Sequence, residues 1–258
     1  MNFDNTKKCA IFIDIDGTLL GESDAAFRKN LAVISALRSM GHKVFISTGR
    51  APSYMPAKVR LTEDYDGFIT GAGAYVRLGS KELSKKLMPY GAVKKICRFF
   101  LENNVPGALE GVDNMFYFGD MRFREPDWIK LGEADTGRLV TELTPILKFT
   151  VDGRVPSAVM ESLGDGYKLT RHPVFDEITQ KNCTKADGIR LILDGLGLPA
   201  AQSIAIGDSP NDSEMIEFAG VGIAMGNAVD EIKQKADMIT SDVENAGVAA
   251  ALEKLFGI

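Results

Sequence analysis

The sequence predicts an α/β protein: a doubly wound parallel sheet that carries an inserted α+β unit. Three observations lead there. Near-continuous apolar runs such as Ala10 to Ile13 read as strands covered on both faces. Helical and extended patterns alternate at both ends of the chain, as the crossovers of a parallel sheet require. Between residues 87 and 180 that alternation gives way to paired extended pieces mixed with helices. With 258 residues, 45% hydrophobic and 25% charged, the chain has the composition of a globular protein able to bury an ordinary core.

The elements follow in order. After the first strand, Phe27, Leu31 and Ile34 recur at helical spacing, and Gly41 closes that helix. Lys43 to Ser47 is a second strand, a helix is expected from Ala51 to Arg60, and Gly67 to Thr70 is a third strand. In the insert, Val93, Ile96, Cys97, Phe100 and Leu101 form an amphipathic helical stripe. Ala108 to Val112, Met115 to Phe118, Ile146 to Val151 and Tyr167 to Thr170 read as strands, with a helix at Ser157 to Leu163. The final third returns to short strands at Ser203 to Ile206, Val221 to Ala224 and Met238–Ile239, separated by helices near 211–219, 228–236 and 246–256. The expected domains are a core of 1–86 with 181–258, and an insert of 87–180.

Bulk properties narrow the function. A formal charge of -5 argues against a nucleic-acid partner. Cys9, Cys97 and Cys183 are isolated and suggest reduced thiols in a cytoplasmic protein rather than a disulfide frame. No run approaches the roughly 18 apolar residues that a membrane span needs. The first residues, MNFDNTKK, lack the apolar stretch of a signal peptide. His42 and His172 are too few for chemistry built on several histidines.

Chemistry concentrates at strand exits. Asp14 and Asp16 leave the first strand two residues apart, so both are expected to face the crevice beyond the carboxyl ends of the strands. An Asp helix cap followed by Gly17 explains one acid but not two. Two carboxylates without a neighbouring cation repel unless a metal ion joins them. Ser47-Thr48-Gly49-Arg50 follows the second strand. Its hydroxyl and backbone N–H can hold a phosphate oxygen, although taken alone the pair is better explained as a helix cap by Ser47 or Thr48. Lys185 opens a helix continuing through Ile189, Ile192, Leu193 and Leu196. Such a lysine is ordinarily solvated, yet a cation there runs against the helix dipole and hints at an anion. Gly207-Asp208-Ser209-Pro210-Asn211-Asp212 contains a capping box from Ser209 to Asp212. That box leaves Asp208 unexplained, which makes it the third acid, while Asp212 both caps and orients.

Together these stretches resemble the four motifs of the haloacid dehalogenase superfamily of phosphatases: DIDGTLL, STGR, Lys185 and GDSPNDSEM, in that order. The tail GVGIAMGNAVDEIKQKADMIT is similar to that of the Cof-type sugar-phosphate phosphatases, which carry a large α/β cap where this chain has its insert. One departure stands out: the Asn-Gly-Ala usual after the third strand is Ala72-Gly73-Ala74 here, so any contact from that Asn is missing.

The resemblance implies a Rossmann-like core and a Mg²⁺-dependent hydrolysis of a small phosphorylated metabolite, a sugar phosphate above all. Asp14 would be the nucleophile that forms an aspartyl-phosphate, and Asp16 the general acid and base. The Asp14 side chain, the Asp16 carbonyl and Asp208 would hold Mg²⁺. Thr48, the Gly49 and Ile15 amides, Lys185 and Asn211 would bind the phosphoryl oxygens. Arg50 has two assignments, a substrate contact or a salt bridge to the cap. Asp113, Arg171 and His172 lie in the insert and read as surface or turn residues. Two other readings stay open: transfer of the phosphoryl group to a sugar hydroxyl, and a non-enzymatic phospho-aspartate regulator. The motifs carry no statement about oligomeric state.

Overall fold

The computed structural model describes residues 4, 6–62, 64–132 and 145–258, so part of the MNFDNTKK stretch lies outside the described residues. The chain divides into two compact units. One comprises residues 1–49, 61–84 and 184–258, and the other residues 50–60 and 85–183.

The first unit is built on a sheet whose strands are where the apolar runs lie. Strand β1 (Ala10–Ile13) is wholly buried, and helix α1 (Asp24–Ser39) follows, capped by Ser23 Oγ accepting from the Ala26 N–H at 3.1 Å. Strands β2 (Lys43–Ser47) and β3 (Gly67–Thr70) come next. The expected helix at Ala51 to Arg60 is instead a 3₁₀ turn at Pro52–Tyr54 and one helical turn, α2 (Ala57–Arg60). Pro56 lies between them, lacks a donor, and biases Met55 to the extended backbone seen there. An edge follows that the sequence reading lacked, β4 (Tyr75–Leu78) and β5 (Lys81–Lys85).

In the second unit, helix α3 (Tyr90–Glu102) is followed by β6 (Gly107–Gly111), β7 (Met115–Phe118), β8 (Ile129–Lys130), β9 (Ile146–Val151), helix α4 (Ser157–Leu163), β10 (Tyr167–Arg171) and β11 (Asp176–Gln180). The chain then returns to the first unit with α5 (Lys185–Leu196), β12 (Ser203–Gly207), α6 (Ser213–Phe218), β13 (Val221–Ala224), α7 (Asp230–Lys235), β14 (Met238–Ile239) and α8 (Gly247–Phe256).

The order β14-β13-β12-β1-β2-β3-β4-β5 puts β1 between the C-terminal and N-terminal halves of the sheet. It is parallel from β14 to β3, and β4 is antiparallel. Ile13 is in register with both Ile46 and Ile206, so β1, β2 and β12 end level with one another. Phe12 and Phe45, neighbours in that register, stack at 5.2 Å and are fully buried with Ile11, Ile204 and Ile223. The exits of these strands form the switch point at which open α/β sheets bind ligands.

The second unit has its own sheet, ordered β10-β11-β9-β6-β7-β8 and antiparallel except for β7 with β8. Side chains alternate between its faces. Leu109, Phe116, Phe149 and Ile178 pack with Ile96 and Phe100 of α3. Ala108, Met115, Tyr117 and Trp128 form a separate cluster, joined by Tyr54. Glu110 and Lys148 share a register position and pair at 3.3 Å, both almost fully buried, and Lys148 also pairs with Glu177.

Candidate active site

Asp14, immediately after β1, is 4% exposed. The chain then doubles back: Leu20 N–H donates to the Ile15 carbonyl at 2.8 Å and Gly17 N–H to the Leu20 carbonyl at 3.0 Å. Gly17 adopts φ +77°, and a Cβ there would collide with the Asp208 carboxylate. Glycine is therefore required twice over, for its backbone angle and for the close approach. Thr18 is fully buried and donates its hydroxyl to Asp208 Oδ1 at 3.0 Å. The side chain of Asp16, by contrast, is exposed.

Lys185 reaches the site because α5 is fixed at its N-terminus and pressed close to β3. Thr184 caps the helix by accepting from the Asp187 N–H at 3.1 Å. A Cβ on Gly188, one turn along, would stand 2.5 Å from Ile69 Cγ2, so only glycine permits this approach. Lys185 is 1% exposed rather than solvated. Its Nζ donates to Asp14 Oδ1 at 2.6 Å and to Asp212 Oδ1 at 2.5 Å. The anions that its position called for are thus two side chains of the protein itself. Burial opposes the ammonium charge, but Asp14 and Asp212 overcome that and raise its pKa.

The capping box is present. Asp212 Oδ2 accepts the N–H groups of Asp208 and Ser209, each at 3.0 Å, while Oδ1 takes Lys185. One carboxylate therefore shapes the loop that carries Asp208 and also holds the lysine. Ser209 Oγ donates to Asn211 Oδ1 at 2.8 Å. Asn211 also neighbours the second motif, since a Cβ on Gly49 would stand 3.3 Å from Asn211 Nδ2. Thr48 is buried, with its N–H on the Ile69 carbonyl at 2.8 Å and its carbonyl accepting from Ala72 N–H at 3.1 Å. The helix-cap alternative for Ser47 and Thr48 is not realised: the turn that follows starts at Ala51 without a side-chain cap. Ser47 Oγ is a buried hydroxyl without a hydrogen-bond partner among the described residues.

Oxygens of Asp14, Asp208 and Asp212 lie within 4.8 Å of one another. Burial pushes the Asp14 carboxyl up; Lys185 counteracts this, while Asp212 and Asp208 add to it. Burial, reinforced by Asp212, raises Asp208 to about 6. An all-oxygen group of acids whose ionisation is opposed fits a hard divalent cation. Asp212 is the most engaged of the three, bonding the loop through Oδ2 and Lys185 through Oδ1, which leaves Asp14 and Asp208 better placed to hold one. The sequence reading gave Asp212 a supporting role only; its place in this group depends on a contact with Lys185, 27 residues away.

The remaining expectations fall in the second unit. Arg50 stacks over the Tyr54 ring at 4.2 Å and donates to the Tyr54 carbonyl at 3.2 Å. Arg171 pairs with the buried Asp176 at 3.1 Å, His172 Nε2 lies 3.3 Å from Glu177, and Asp113 is exposed in the turn between β6 and β7. All three cysteines are free and buried, and no described helix is long and apolar enough to cross a membrane.

Comparison with known proteins points the same way. The family model of haloacid dehalogenase-like hydrolases matches residues 11–252. YitU of Bacillus subtilis (strain 168), a 5-amino-6-(5-phospho-D-ribitylamino)uracil phosphatase, is 31% identical over 269 residues, covering 98% of this chain and 99% of its own. Among solved structures, the HAD subclass IIB sugar phosphatase BT4131 is 25% identical with a TM-score of 0.78, over 97% of this chain and 99% of that one. BT1666 from Bacteroides thetaiotaomicron, a phosphatase of the same superfamily, is 26% identical with a TM-score of 0.79, over 97% and 95%.

Proposed function

The chain belongs to the haloacid dehalogenase-like hydrolases and is a phosphatase of that family; on that premise we propose that it cleaves small sugar-phosphate-like metabolites through an aspartyl-phosphate on Asp14. The observation that carries this reading is the buried Asp14 carboxylate, held at Oδ1 by Lys185 with Asp208 alongside. Oδ2 is then the oxygen that attacks phosphorus. The phosphorus–ester oxygen bond breaks as the Asp14–phosphorus bond forms, and Asp16 gives its proton to the departing alkoxide. Asp16 then takes a proton from water, whose oxygen attacks phosphorus and releases Asp14 and inorganic phosphate. The exposure of the Asp16 side chain supports that role, because an acid that serves both leaving group and water needs access to each.

Thr48, the Gly49 and Ile15 amides, Asn211 and Lys185 are assigned to the phosphoryl oxygens, where charge spreads in the transition state. Mg²⁺ is the cation we assign to the Asp14 and Asp208 carboxylates and the Asp16 carbonyl. When bound it supplies positive charge that keeps both carboxylates ionised beside a phosphate dianion. Residues 85–183 are assigned the role of a cap that selects the substrate. The likeness to YitU adds phosphoribityl compounds to hexose, pentose, nucleotide and short-chain phosphates as the substrates to screen.

The test is Asp14→Asn, assayed for phosphate release on that panel with and without Mg²⁺. Turnover is expected to fall at least about 10³-fold, as loss of a covalent nucleophile does, while circular dichroism stays unchanged. Near-normal activity in that variant rules Asp14 out as nucleophile. Phosphosugar formed in place of inorganic phosphate would instead establish a phosphotransferase.

A further inference from the structure

We propose that Asn227 and Glu244 are positioning residues for the Asp16–Thr18 loop, an inference that rests on Asp14, Asp16 and Asp208 acting as just described. The hydrogen bonds within residues 14–20 fix the shape of that loop but not its distance from Asp208. Asp14 N–H on the Ile206 carbonyl at 3.0 Å ties the start of the loop to β12, and its far side is held from the turn after β13. Asn227, in the turn after β13, donates Nδ2–H to the Gly17 carbonyl at 2.8 Å and accepts the Val243 N–H on Oδ1 at 2.8 Å. Glu244, next to Val243, accepts the Glu22 N–H on one oxygen and the Ser23 N–H on the other, both at 2.8 Å. Residues 17–23 are therefore gripped at both ends by two side chains whose own segments are tied together.

The same turn also holds the other acid. Val229 N–H donates to the Asp208 carbonyl at 3.1 Å, and Met225 N–H to the Gly207 carbonyl at 3.0 Å. Residues 225–229 thus bond to the backbones of Gly17 and Asp208 at once, and with the β1–β12 pairing they hold the gap that Thr18 Oγ1 spans to Asp208 Oδ1. Glu244 brings another negative charge toward a region rich in acids. The two N–H groups it accepts stand at the start of α1, where the helix dipole favours an anion. Both residues bond to loop backbone, so their effect on the carboxylates runs through the loop.

The experiment separates the two bonds of Asn227. Asn227→Asp keeps the acceptor for Val243 and sets an acceptor against the Gly17 carbonyl; Asn227→Ala loses both; Glu244→Gln keeps one acceptor. Mn²⁺ affinity by electron paramagnetic resonance, kcat and KM on p-nitrophenyl phosphate, and melting temperature are read for each. Asn227→Asp and Asn227→Ala are expected to bind Mn²⁺ about tenfold more weakly and to lose a similar factor in kcat, the scale of one hydrogen bond, with KM unchanged and with melting temperature lowered by only about 2–4 °C, too little to account for either loss. Glu244→Gln should lose roughly two- to threefold on the same scale. Wild-type Mn²⁺ affinity in Asn227→Asp, or losses that only track melting temperature, overturn the inference. Asp208→Asn is measured alongside. If it loses Mn²⁺ while Asn227→Asp binds normally, only this inference falls; if it too binds normally, the proposed function falls and takes the inference with it.

Discussion

At the scale of single residues, Ala72 has a backbone conformation with a measurable cost. It sits at φ 54°, ψ 37°, a left-handed conformation that costs Ala about 1–2 kcal/mol. Its N–H holds the Thr48 carbonyl, so the backbone keeps the conformation despite the strain. Ala72→Gly should stabilise the protein by about 0.5–1 kcal/mol. Urea unfolding checks this, and a lower midpoint in the variant would show that the residue is unstrained. The convergence of Asp14 and Asp208 was legible, whereas the part played by Asp212 in that group was not. Asp14, Asp16 and Asp208 stand out in the chain because acids at the ends of apolar strands have no packing explanation. The real partners of Lys185 did not stand out: Asp14 is 171 residues away, and no local pattern reports such a contact.

Elements were legible where burial on both faces writes a continuous apolar run, as in β1, β2, β3 and β13, whose limits match the runs read from sequence. They were missed where one face is wet or the strand is an edge. The β5 segment KELSK has no exposed-versus-buried alternation to read, and β11, DEITQ, hides a buried Asp176 among polar neighbours. Residues 51–60 carry helical residue types, but their prolines decide the outcome. The element that matters most for chemistry is α5, because its closeness to β3 delivers Lys185. Gly188→Ala should push the helix off Ile69 at about 1–3 kcal/mol, the usual cost of overpacking, and lower kcat by moving the lysine. The double variant Gly188→Ala with Ile69→Ala restores the space. If kcat does not recover in it, the close approach is not what places Lys185.

At the scale of the whole molecule, the buried acids make stability depend on pH. The carboxyl of Asp208 stands at about 6 when folded and near 3.9 in an unfolded chain. The folded protein therefore favours the protonated form, so this group's contribution is complete below about 3.9 and is lost as pH rises through about 6. In EDTA, wild type should lose stability relative to Asp208→Asn between about pH 4 and 6 and stay level above that. With Mg²⁺ held by Asp208 as proposed, the order should reverse above about pH 6, since a ligand that binds only the folded state adds stability and needs the carboxylate. Melting curves across that range, with and without the ion, measure both effects. A pH-independent difference between the two proteins would show that Asp208 does not titrate there.

The central place of β1 has a consequence for how the protein comes into being. One flank of β1 is β2, made early, and the other is β12, from beyond residue 200. While the ribosome has delivered only the first two hundred residues, β1 presents a bare apolar edge, of the kind that recruits other chains. The unfinished polypeptide lacks the partner of that edge until β12 emerges, and with it the proposed site, because Asp208 and Asp212 have yet to be translated.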